Sequence, residues 1–167
     1  MAGIDPLPPD WSYLPVAQIM SPTDLFGAEF RPGFHPDNSR WKLWVGSDGL
    51  LSQVVRISKP FEGVEPYYAH HHRRIGIREA RSVVRLAERV GFAKFQDKYE
   101  SGITDLPTMR IALRLTDKLK VVETDWATDG FEEIWRRIHR YAPVSNGLTP
   151  WWSCGRIASL VEWCFKP

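Results

Sequence analysis

The chain has 167 residues, 43% hydrophobic and 25% charged, with a formal net charge of +2. That length fits one domain with enough apolar side chains for a core, and the small net charge falls well short of a dedicated nucleic-acid binder. No apolar run approaches the roughly 18 residues a membrane helix needs, and MAGIDPLPPD has no basic stretch ahead of an apolar one, so the expectation is a cytoplasmic protein without membrane contact.

Residues 1–40 hold seven of the prolines, which argues against long helices and central strands there. Aromatic side chains from Trp11 to Phe34 argue equally against a free tail. We read 1–40 as an irregular arm lying on the body of the protein or on a partner, with short helical turns near Val16–Met20 and Pro22–Phe26. The core domain is expected over 41–143.

WKLWV, a Gly46-Ser47-Asp48-Gly49 turn and LLSQVVRI predict a hairpin, because Trp41, Leu43 and Val45 alternate with Lys42 and Trp44. YYAHHHRRI predicts a third strand. Ala80, Val83, Val84, Ala87 and Val90 then recur at helical spacing, with Leu86 beside them, from about Ile77 to Val90. Gly76 with Glu79 resembles a capping box, and Gly91 suits a C-terminal cap. The next segment should turn Phe92 and Phe95 inward, and MRIALRLTDKLKVVETDW predicts a second hairpin turning at Thr116-Asp117-Lys118. Asp129 to Glu132 read as a capping box for a helix with Phe131, Ile134, Trp135, Ile138 and Tyr141 on one face, ending at Pro143. Residues 144–167 predict a C-terminal helical extension packed on the core. Cys154 and Cys164 would lie about 15 Å apart on it, too far for a disulfide.

The fold expected is therefore α+β: a small twisted antiparallel sheet of roughly five strands packed by two helices, with an additional C-terminal helix. The hairpin with its Gly-x-Asp-Gly turn, the following helix, Asp97-x-Tyr99 and Thr104-Asp105-Leu106-Pro107-Thr108 resemble a family of small bacterial domains of unknown function over about 41–141. The resemblance implies the same sheet-and-helix architecture and assigns no activity. Members of that family carry a Cys-Phe-Gly-x-Cys-Pro stretch before the first strand, and here PGFHPDNSRW stands there without either cysteine.

The helix face opposite the apolar stripe carries Arg78, Arg81, Arg85 and Arg89, and residues 73–94 hold seven Lys/Arg against two Glu. Arg136, Arg137 and Arg140 sit opposite the apolar stripe of the next helix. Such arginines are either solvated and paired within the domain or a contact surface for an acidic partner. With Trp163 in the C-terminal helix they are the candidate partner-binding residues. They suit a non-enzymatic inhibitor, immunity-type protein or assembly subunit that binds another protein. The alternative use is nucleic-acid binding by the same stripe. His70 and His72 share one face of a strand and could ligate a metal with His35 or Asp37, the basis of a third reading as a metal-dependent enzyme. Asp97, Tyr99 and Asp105 are acid/base candidates, better explained as turn and loop capping. There is no Gly-x-Ser-x-Gly elbow and no phosphate-binding glycine loop, so no catalytic residue and no organic cofactor is expected.

Overall fold

Strands whose side chains alternate in character build a sheet with two unlike faces. The computed structural model describes residues 14–32, 40–57, 67–103, 106–116, 118–126 and 128–142. The chain forms helix α1 (Val16–Ile19), strands β1 (Asp24–Arg31), β2 (Trp41–Gly46), β3 (Leu50–Ile57) and β4 (Tyr67–Arg74), and helix α2 (Ile77–Arg89). A 3-10 turn (Phe92–Lys94) follows, then β5 (Lys98–Tyr99), β6 (Thr108–Leu115), β7 (Lys118–Thr124) and α3 (Asp129–His139). The strands make one sheet in the order β4-β3-β2-β1-β6-β7-β5, antiparallel throughout except where β5 runs parallel to β7. This is the α+β architecture expected, with seven strands among the described residues rather than roughly five.

The largest departure concerns residues 24–31. Read from sequence as part of an irregular arm, they form β1, the strand between β2 and β6. Proline excludes a central strand only where it sits inside one. Pro22 and Pro32 bracket β1, and Phe26, Ala28 and Phe30 alternate between them. The turn expected near Val16–Met20 is present as α1, whereas the one expected over Pro22–Phe26 gives way to the start of β1. The expected C-terminal helix of 144–167, with Trp163, lies outside the described residues.

One face of the sheet is apolar. Phe26, Ala28 and Phe30 of β1, Trp41, Leu43 and Val45 of β2, Leu51 and Val55 of β3, and Met109, Ile111 and Leu113 of β6 pack under α2 and α3. Ala80, Val83, Leu86 and Ala87 are the buried stripe of α2, and Phe131, Ile134, Trp135 and Ile138 that of α3. Trp41 and Trp135 join the sheet to α3 by stacking at 5.4 Å between ring centroids, and Phe131 stacks on Trp135 at 6.2 Å. Gly91 ends α2 in the left-handed region (φ 73°), where glycine carries no Cβ penalty. Neither helix start is closed as expected. Glu79 makes no cap bond to Gly76, and α3 begins one residue earlier, with Thr128 rather than Asp129 at its N-cap position and no side-chain bond there.

The other face is covered in part by the segment holding α1. Gly27 lies beneath it, where a Cβ would come within 2.7 Å of Val16 Cγ2 and 2.8 Å of Met20 Sδ. The glycine inside a central strand is thus explained by the close approach of α1 rather than by a turn. Gly27→Val should displace α1, lower stability by about 1–3 kcal/mol, and expose Leu14–Met20 to protease. Thermal unfolding together with limited proteolysis checks both effects.

Candidate interaction surface

The helix-side surface carries the basic residues singled out from sequence. Arg78, Arg81, Arg85 and Arg89 are all exposed on α2. Arg89 pairs across to Glu133 of α3 at 3.0 Å. On α3, Arg136 pairs with Glu132 one turn earlier, Arg140 is exposed and Arg137 half-buried. Arg78, Arg81 and Arg85 have no ion pair with any described residue. The two helices pack side by side, and a groove of about 410 Å³ between them is lined by Asp129, Glu132 and Glu133 as well as Arg136, Arg137 and Arg140. The arginines of α2 and α3 therefore do not merge into one basic field, because the carboxylates of α3 stand between and beside them.

The strand-borne histidines alternate as expected. His70 and His72 fall on the α1 side of the sheet, opposite Val54 and Ser52, and His71 on the helix side. His72 Nδ1 lies 3.1 Å from Ser52 Oγ. Among the described residues no group of three or more His, Cys, Asp or Glu could hold a metal ion. His35 and Asp37, the expected additional ligands, lie outside the described residues, as does Asp105. Asp97 pairs with Lys120, and the Tyr99 hydroxyl accepts a hydrogen bond from Gln96 N–H at 3.0 Å while its ring meets Phe95 edge-on at 6.4 Å. Asp97 thus has a structural partner in β7 and Tyr99 has partners in the loop after α2.

Sequence reasoning missed a cluster of charge on the α1 side. Glu29, 1% exposed in the middle of β1, accepts hydrogen bonds from Arg31 Nε at 2.7 Å, from an Arg110 guanidinium nitrogen at 2.7 Å and from Val16 N–H at 3.2 Å. Arg110 also pairs with Glu123. Lys42 faces Glu29 across the β1–β2 ladder and donates to the Leu14 carbonyl. Arg114 reaches the Asp24 carbonyl at 3.1 Å and the Ser21 carbonyl at 3.3 Å. The segment from Leu14 to Asp24 is thus tied down by groups from β1, β2 and β6. The available signal was a set of charged residues at outward positions of these strands, Glu29 and Arg31 in β1, Lys42 in β2, and Arg110 and Arg114 in β6. Arg110 and Arg114 alternate with Met109, Ile111 and Leu113 and so face away from the helices, a direction that is covered rather than solvated.

Burial pushes the Lys42 ammonium down to a pKa of about 8, opposed by the attraction of Glu29, while burial alone lowers the pKa of His139, whose ring lies 6.3 Å from that of Trp41. Buried charge is costly unless paired, and removing one partner strands the others.

No protein-family model matches the chain, and no curated protein matches it significantly. The structure itself defines a domain with basic residues on its surface and aromatic clusters in its core, and among the described residues no helix is long and apolar enough to cross a membrane.

Two outcomes follow from the Glu29 cluster. Glu29→Ala leaves Arg31 and Arg110 without their shared carboxylate and should cost about 3–5 kcal/mol, measured by chemical denaturation. Lys42 should also make stability rise with pH. Its folded pKa of about 8 lies below its ordinary value of 10.5, so between these limits the unfolded chain binds the extra proton. Stability should therefore increase from pH 8 towards 10.5, by at most about 3 kcal/mol, and Lys42→Met should flatten that part of the profile.

Proposed function

We propose that this protein is a non-enzymatic interaction domain that binds an acidic protein partner through the exposed face of α2. It would act as an inhibitor, an immunity-type protein or an assembly subunit. The observation that carries this reading is the contrast along the helices: Arg89 and Arg136 are paired within the domain, whereas Arg78, Arg81 and Arg85 form one exposed stripe without a carboxylate among the described residues. Arginines at this spacing repel one another by a few tenths of a kcal/mol per pair, a cost that an acidic partner would reverse. Arg is also over-represented among residues that dominate binding energy.

A protein partner suits the surface better than a nucleic acid. Phosphate tracking favours a continuous basic field, and here Glu132 and Glu133 interrupt it between the two helices. The expected test is a native mass measured after isolation from the source cell. The wild-type chain should carry an acidic protein at fixed stoichiometry that dissociates as salt is raised. The triple variant Arg78→Glu, Arg81→Glu, Arg85→Glu, being a surface change, should fold normally and lose it. A wild-type chain recovered alone at low salt, or carrying nucleic acid instead, sinks the proposal.

A further inference from the structure

The outer face of α2 is not uniformly basic. An α-helix turns about 100° per residue, so Ile77 and Val84, seven residues apart, lie within about 20° of one another. They form a short apolar column beside Arg81. Ile77 is 45% exposed in the first turn, and Val84 is half-buried with one side against the core. On the other side of the arginines, Arg89 pairs with Glu133 and Leu86 lines the groove to α3. The basic stripe therefore has α3 on one flank and the apolar column on the other.

The two glutamates of α2 bound this surface. Glu79 turns about 100° away from Arg78, and its carboxylate lies beside Gly76, where a Cβ would come within 2.6 Å of Oε2. Glu88 is exposed one turn beyond Val84 and ends the stretch that attracts carboxylates. Between them, over about two turns, Arg78, Arg81 and Arg85 meet no carboxylate among the described residues.

The spacing of these side chains selects the shape of what can cover them. Ile77 and Val84 are about 10.5 Å apart along the axis, and Arg78 and Arg85 repeat that interval. Seven residues of a second helix span the same distance. An extended segment presents side chains on one face every roughly 6.6–6.8 Å. It would meet one member of each pair and miss the other.

We propose that the partner contributes an acidic amphipathic helix laid along α2, an inference that rests on the reading of α2 as the partner surface. Apolar side chains seven residues apart would cover Ile77 and Val84, and carboxylates on the adjacent face would lie beside Arg78, Arg81 and Arg85. In this mode the apolar anchors of the incoming helix supply affinity, and the charges around them select an acidic sequence.

The probe is a fluorescein-labelled, hydrocarbon-stapled helical peptide of about 14 residues, with two leucines seven apart and glutamates on the neighbouring face, followed by anisotropy. Its control has the same composition but no staple and several D-residues, so it keeps the charge and cannot form the helix. The wild-type protein should bind the stapled peptide saturably and the control about tenfold more weakly or worse. Ile77→Ser, a surface change, should weaken the stapled peptide by about threefold or more. The triple reversal of Arg78, Arg81 and Arg85 to glutamate should abolish its binding. Equal binding of the two peptides, both lost in the triple variant, overturns the helical mode and leaves the acidic-partner reading standing. Unchanged binding by Ile77→Ser overturns the mode in the same way. Absence of saturable binding by either peptide, or binding that survives the triple reversal, overturns both.

Discussion

Glu29 is a carboxylate buried in the middle strand of the sheet, and the arrangement of the reverse face depends on it. A buried carboxylate needs donors on both oxygens. Here they come from its own strand through Arg31, from β6 through Arg110 and from the backbone of α1 through Val16. Satisfying one side chain thus fixes three separate pieces of chain. It also explains why the segment before β1 crosses the sheet at Gly27, the position where a side chain would keep it away. Lys42 and Arg114 extend the same logic to the carbonyls of Leu14, Ser21 and Asp24. The result is a polar, enclosed seam where many sheets of this size present a solvated face.

That division assigns different work to the two sides. On the α1 side charge is matched to charge and to backbone within the domain, which suits architecture. On the helix side the apolar stripes of α2 and α3 are spent on the core, with Trp41 and Trp135 joining layers, and the polar surface is left with arginines that no described carboxylate neutralises. At the end of β4, Arg73 is exposed beside this surface, whereas Arg74 pairs with Asp48. The interaction role proposed above rests on the surface whose charge is unbalanced among the described residues.

Much of this was legible in the sequence, for identifiable reasons. The helical spacing of Ala80, Val83, Leu86 and Ala87, and of Phe131, Ile134, Trp135 and Ile138, reports burial directly, and both helices lie where those patterns are. The Gly46–Gly49 turn set the first hairpin in register. β1 was hidden because prolines crowd its surroundings, although none falls within it. The Glu29–Arg110 contact spans 81 residues, and no local pattern reports which distant strands become neighbours. The exposed arginines were visible as a stripe, but only the fold distinguishes Arg89, which finds Glu133, from Arg81 and Arg85, which find no described carboxylate.

The most direct measurement is arginine-selective chemical labelling read by mass spectrometry, on the free protein and on its complex from the source cell. In the free protein Arg78, Arg81 and Arg85 should react fast, and Arg110, held between Glu29 and Glu123, should react slowly. In the complex the three α2 arginines should become protected while Arg110 stays unchanged. Rapid labelling of Arg110 in the free protein, or α2 arginines that label equally with and without the partner, would contradict the division between a structural face and a binding face.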